Sequence, residues 1–230
     1  MPGSFGSLVW FLGTVLELVV VVCAVSKGCF RRYLCLNLYM LFSFFASIGR
    51  FQILIHYGLE SREYAYCYFY SDAVLTILLY FALITLYLHV FDEMGVERYV
   101  RLTALLLLAG TALFSYQVVE QSTHRVLTHF SVELSQNLYF VGLILTYVLW
   151  GAILKLRETR TKLIQLVLSL GVYFSALAAT YALRNLYPNF QYSFFVQVPG
   201  CILPLAWAYA FWRLPEEARL VPSRLAVVPR

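Results

Sequence analysis

The chain has 230 residues, of which 61% are hydrophobic and 13% charged, with a mean hydropathy of +0.74. Soluble domains carry about 25% charged residues, so the composition excludes an ordinary water-soluble domain and defines an integral membrane protein. The net charge of +5 does not mark a nucleic-acid-binding protein, because the basic residues lie in short segments between apolar runs, where membrane topology places them.

In chain order, the opening MPGSFGS lacks a basic region, and the first basic cluster follows the first apolar run. That order is the reverse of a cleavable signal peptide, so the first run is expected to stay as a helix. Seven apolar runs predict seven transmembrane helices, at about 7–26, 33–57, 66–91, 102–119, 130–154, 163–183 and 192–212. The fold class expected is therefore an all-α polytopic bundle. Residues 1–212 form one transmembrane domain, and 213–230 a short tail. No internal repeat and no second domain is read, and the tail is too short for an enzyme or output module. Helix count alone would fit a 3+1+3 sugar-transporter-like arrangement, but the first three runs do not read like the last three.

Orientation follows from the basic residues. The segments after runs 1, 3 and 5, together with the tail, hold 13 of the 17 Lys and Arg residues. The opposite segments hold Arg62, Arg125 and Arg184, and Arg50 lies inside run 2. The positive-inside rule then predicts an outer N-terminus and a cytoplasmic C-terminus. Trp10, Tyr33, Tyr57, Tyr64, Tyr66 and Trp212 near run ends fit interfacial belts.

Run 3 carries the most informative residue. Asp72 lies about six residues, or roughly 9 Å, below its outer end. A carboxylate at such depth costs roughly 2.5–3.5 kcal/mol on insertion scales and calls for a partner. Arg50 lies at a similar depth in run 2. Glu133 is nearer the outer end of run 5, with Gln136 and Asn137 a turn deeper, and Glu17 is near the middle of run 1. Helical spacing groups Ser43, Ser47 and Arg50 on one stripe, Tyr68, Asp72 and Thr76 on another, and Glu133, Gln136 and Asn137 on a third. Gly13 lies one turn before Glu17, and Thr180 one turn before Arg184. Pro199, Gly200 and Pro204 predict a kink in run 7 at about the same depth, with Gln197 beside it.

These placements support three readings. The acids, Arg50 and Asn137 could form a polar ligand site in the outer half of the membrane, with Arg50 paired to Asp72. They could form a structural ion-pair lock, or line an ion or proton path. Three acids against one Arg leave negative charge for a proton, a cation or a cationic ligand to answer. In run 6, Gly171, Ser175, Ala178, Ala179 and Ala182 form a small-residue ridge suited to helix packing or to a homodimer face.

Several chemistries lack their residues. The lysines, Lys27, Lys155 and Lys162, are all near the cytoplasmic ends, so none can form a retinal Schiff base in the last helix. His56, His89, His124 and His129 provide neither a zinc triad nor a haem pair at matched depth. Cys23, Cys29, Cys35, Cys67 and Cys201 show no CxxC spacing and read as unpaired apolar fillers. No Gly-rich phosphate loop occurs. No cofactor, metal or nucleic-acid partner is expected.

Glu17 in its LEL context, the turn KGCFRRY (Lys27–Tyr33), the late Arg50, YCYFYSDA around Asp72 and the terminal LHVF of run 3 resemble a group of short bacterial seven-helix membrane proteins of unassigned function. A weaker similarity is to the seven-helix sensor domains of bacterial signalling proteins. The resemblance implies a bacterial inner (cytoplasmic) membrane location and no particular reaction.

The leading expectation is a non-enzymatic, sensor-like module in the lipid bilayer. It would bind a small-molecule or lipid ligand, or a membrane protein partner, and act through another protein. The alternatives are a small-solute or proton-coupled transporter and a lipid-modifying membrane enzyme, for which no nucleophile stands out.

Overall fold

The computed structural model describes residues 4–58, 61–120, 126–156, 160–187 and 193–215. His124, Arg125, Arg157, the turn at Pro188 and the tail beyond Pro215 lie outside these residues, as do the side chains of Arg184 and Gln197.

Long apolar segments must satisfy their backbone groups internally when no water is at hand, and helices do this within one segment. The chain accordingly forms α1 (Ser4–Ser26), α2 (Leu34–Tyr57), α3 (Arg62–Val90), α4 (Glu97–Glu120), α5 (Val126–Leu156), α6 (Thr161–Leu186) and α7 (Ser193–Arg213). A 3-10 turn at Asp92–Met94 precedes α4, and the described residues contain no β-strand. Six helices, α1–α6, are long and apolar enough to cross a membrane. The protein is an all-α, multi-pass membrane protein.

The helices agree with the seven apolar runs and extend several of them into polar sequence. α3 begins at Arg62, four residues before its apolar run, because Ser61 caps it: the Tyr64 N–H donates to Ser61 Oγ at 3.1 Å. α4 begins at Glu97, where Arg101 pairs with Glu97 one turn away at 3.1 Å. Hydropathy marks what can lie in lipid, whereas the helix continues while its first turn is capped or paired. α1 and α2 stop at glycines: Gly28 (φ 68°) and Gly58 (φ 81°) take a left-handed backbone that an L side chain strains to adopt.

Six helices close a ring in the order α1, α2, α3, α5, α6, α7 and back to α1. α3 and α6 also approach each other across its interior, and α4 stands outside against α5 and, more lightly, α3. The core is built from Leu36 and Met40 of α2, Leu79 and Leu83 of α3, Phe174 of α6 and Trp207 of α7. Trp207 Nε1 donates to Ser169 Oγ at 2.9 Å, tying α7 to α6. Tyr80, Ile84, Ala104, Leu134 and Leu138 form a smaller cluster that seats α4. Outward positions such as Phe11, Phe45, Ile55, Leu106 and Leu113 are large, apolar and exposed. Such a surface suits lipid.

Backbones come closest between α5 and α6. A Cβ placed at Gly142 would fall against the ring of Phe174, and one at Gly171 would lie 2.9 Å from Thr146 Cγ2. The small-residue ridge of α6 is therefore divided. Gly171 faces α5 and Ala178 is buried, while Ala179 and Ala182 are exposed.

Candidate functional site

The inner stripe of α2 is the spine of the site. Tyr39, Ser43, Ser47 and Arg50 recur at helical spacing along it. α1 brings Glu17 against this stripe. Ser43 Oγ donates to Glu17 Oε1 at 2.5 Å, and Ser47 stands beside the same carboxylate. Glu17 Oε2 is buried with no hydrogen-bond partner among the described residues. Gly13, one turn away, lets α7 come close: a Cβ there would meet Cys201 Sγ at 3.3 Å. Cys201 in turn donates to the Val9 carbonyl at 3.4 Å.

α3 supplies Tyr68, Ser71 and Asp72. Arg50 Nε donates to Ser71 Oγ at 2.8 Å and its Nη2 to the Tyr68 carbonyl at 3.3 Å. The guanidinium also lies over the Tyr68 ring, 4.4 Å from its centroid. The hydrogen bonds of Arg50 thus go to the neighbours of Asp72 rather than to Asp72 itself, correcting the expectation of direct pairing. The guanidinium acts through space on Asp72 and on Glu17. The physical reason lies in α3: Ser71 and the Tyr68 carbonyl occupy the side of the helix that α2 presents to Arg50.

Across the ring, α5 places Ser135 beside Asp72. Ser135 is 1% exposed, yet its hydroxyl closes no hydrogen bond of normal geometry among the described residues. Tyr139 follows one turn later on the same face and stacks on Tyr181 of α6, with ring centroids 5.5 Å apart. Tyr173 of α6 meets Tyr39 of α2, hydroxyl to hydroxyl, at 3.4 Å. Both phenols feel the charges of Glu17 and of Asp72, and Tyr139 that of Asp72. Arg50 is the charge that both carboxylates feel, and the three tyrosines lie within electrostatic reach of one or both of them. Glu17, Arg50, Tyr68, Asp72 and Tyr173 each keep some accessible surface, whereas Tyr39, Ser43, Ser135 and Tyr139 are buried.

The other sequence-derived candidates are placed differently. Asn137 Nδ2 donates to Ser115 Oγ of α4 at 2.9 Å, so this residue looks out of the ring. Glu133, one turn earlier, shares the stripe of Asn137 and is half-buried, as is Gln136. On a helix of 3.6 residues per turn, Glu133 and Asn137 lie opposite the Ser135–Tyr139 face. α7 stays helical through Pro199 and Pro204. All five cysteines carry free thiols.

Sequence reasoning missed the tyrosines Tyr39, Tyr139 and Tyr173. Their signal was available in part, since Tyr39 is one turn from Ser43. It also placed Lys162 in a loop, whereas this residue is 3% exposed in the first turn of α6, with Nζ 3.8 Å from Cys29 Sγ. Nearby, Arg160 Nη2 donates to the His89 carbonyl at 2.8 Å, and His89 stacks on Tyr33 at 5.1 Å.

Comparison with family models, with curated proteins and with solved structures gives no match. The class defined by fold and site is a multi-pass helical membrane protein whose described helices carry Glu17, Arg50 and Asp72 together with the tyrosines Tyr39, Tyr139 and Tyr173.

Proposed function

We propose that the protein is a non-enzymatic, sensor-like membrane module that binds a small or lipid-like ligand at the Glu17–Arg50–Asp72 cluster. In this reading all seven helices span a bacterial inner membrane, with the N-terminus outside and the C-terminus in the cytoplasm. The basic residues favour that orientation, and α7 favours the seventh span because it packs between α6 and α1. The cluster then falls in the outer half of the membrane.

One observation carries the reading. α1, α2, α3 and α5 contribute Glu17, Arg50, Asp72 and Ser135, and among the described residues Glu17 Oε2 and Ser135 Oγ close no hydrogen bond of normal geometry. A lock selected only for stability would be expected to close such groups, since each buried unsatisfied polar atom costs about 1–3 kcal/mol. A bound molecule closes them.

Native mass spectrometry of the gently solubilised protein tests this. The wild type is expected to carry a discrete small-molecule or lipid adduct that disappears in Arg50→Ala, which loses the bridge between α2 and α3. A bare wild-type chain, with Arg50→Ala merely less stable, would make the cluster a packing lock.

A further inference from the structure

The end of the molecule where α1 meets α7 carries cations that no described acid answers. The turn after α1 is held by its own backbone and by its neighbours. The Gly28 N–H donates to the Val25 carbonyl at 3.0 Å and the Cys29 N–H to the Ala24 carbonyl at 2.9 Å. Cys29 and Tyr33 are buried, Tyr33 lies against Phe211 of α7 with ring centroids 5.5 Å apart, and Asn37 Nδ2 donates to the Phe30 carbonyl at 3.3 Å. Lys27 and Arg31 stay exposed on this fixed turn, and Arg213 is exposed at the end of α7. None of the three pairs with a carboxylate among the described residues. The one acid in the described parts of α1, α2, α6 and α7 is Glu17, roughly 15 Å along α1 from Lys27. Asp92 and Glu97 belong to the segment leading into α4, which packs on α5 and α3, across the ring from the α1–α7 seam. The sequence from Arg213 onward holds four arginines against two glutamates, which adds to the positive charge. Fixed cations without counter-charge suit an anion.

A second observation, independent of charge, bears on the kind of anion. α1 and α7 pack side by side. Lys27 Nζ lies 4.8 Å from the centroid of the Trp212 ring and joins their ends. From that contact two apolar stripes run back along the helices at helical spacing, Leu18, Val22 and Val25 on α1 and Leu205, Tyr209 and Trp212 on α7. All six side chains are exposed, from 41% at Leu18 to 59% at Val25. A water-soluble acidic partner would engage the cations and leave the stripes uncovered. A phospholipid engages both, with Trp212 at the polar–apolar boundary that tryptophan favours. Lys27 can serve a phosphate while it lies over the indole, because an ammonium carries three N–H donors.

We propose that the α1–α7 seam binds an anionic phospholipid, its headgroup held by Lys27, Arg31 and Arg213 and its acyl chains lying along the two apolar stripes. This site is separate from the Glu17–Arg50–Asp72 cluster, and either can fail without the other.

The test uses the full chain in phosphatidylcholine nanodiscs into which phosphatidylglycerol is titrated. The readouts are the lipid retained on native mass spectrometry and the unfolding midpoint. The wild type is expected to retain phosphatidylglycerol in preference to phosphatidylcholine, with a saturable rise in the midpoint that weakens as salt is added. Lys27→Gln and Arg213→Gln should each weaken retention about fivefold, as loss of one basic residue near a lipid surface does. Lys27→Arg, which keeps the charge, should restore it. Arg98→Gln removes an exposed cation at the start of α4 and should change nothing. Arg50→Ala should also leave the retained phosphatidylglycerol in place. Equal retention of the two lipids overturns the proposal. So does a loss in Arg98→Gln as large as that in Lys27→Gln, which would make the effect one of net charge rather than of a site. Competition by soluble glycerol phosphate as effective as that by the lipid would show that the stripes add nothing, and would overturn the lipid assignment in favour of a water-soluble anionic partner.

Discussion

The two faces of α5 carry similar residues and end in opposite states. On the outer face Asn137 donates to Ser115, whose hydroxyl donates at 2.9 Å to the Thr111 carbonyl, and Thr111 donates to the Leu107 carbonyl at 2.8 Å. This chain is neutral and ends on backbone that can accept it. On the ring face, Ser135 reaches Asp72 and stops, and Tyr139 opens onto other tyrosines rather than onto a carbonyl. Closed, neutral chains hold helices together in membranes at about 0.6 kcal/mol per bond. An open hydroxyl on the same helix costs stability, and the ligand proposed above for the cluster would offset that cost.

The largest effect on this contrast is expected at Gly142, on the ring face two turns beyond Ser135. In Gly142→Ala the new methyl group meets the ring of Phe174, which is 1% exposed and cannot withdraw without disturbing the core. Overpacking costs about 1–3 kcal/mol, offset by up to about 1 kcal/mol of helix propensity. A net destabilisation of about 1–2 kcal/mol is expected in reversible unfolding in mixed micelles. It should also weaken any adduct, because α5 and α6 carry Tyr139 and Tyr173. A neutral Gly142→Ala would mean that the two helices can part there freely, and that the ring face is less fixed than its contacts imply.

A smaller effect is expected on the outer face. Asn137→Ala and Ser115→Ala should each destabilise by about 0.6–1 kcal/mol and be non-additive together, since they remove one shared bond. Neither should alter an adduct. Loss of the adduct in Asn137→Ala would erase the distinction between the faces and return Asn137 to the site where sequence alone had grouped it with Asp72.

That grouping shows where sequence reading ends. Spacing places Glu133, Gln136 and Asn137 along one side of a helix, but it does not say which neighbour that side meets. The answer depends on α4 standing outside the ring, a fact of packing with no local signature. The helices were legible, because a long apolar run between charged segments has few other solutions in lipid. Their polar first turns at Arg62 and Glu97 were not, since hydropathy is blind to a cap such as Ser61. The charged half of the site was legible too, because an acid or arginine within an apolar run is rare. The aromatic half was not. With 18 tyrosines in the chain and a strong tendency of tyrosine to sit at interfaces, nothing local distinguishes Tyr139 and Tyr173 from the belt residues.

The smallest effect, and the sharpest in sign, belongs to Ser135→Ala. Deleting a hydroxyl that closes no hydrogen bond of normal geometry among the described residues removes mainly a desolvation cost, so the unliganded protein should be unchanged or slightly more stable, within about 0.5 kcal/mol. This is opposite in direction to Ser115→Ala, although both remove a buried serine hydroxyl. If a bound molecule closes the Ser135 oxygen, the same substitution weakens its adduct while leaving the empty protein intact. Unfolding measured with and without added ligand separates the two contributions. A Ser135→Ala protein that is clearly destabilised when empty would show that this hydroxyl already has a structural partner in the folded protein, and the open character of the ring face would have to be given up.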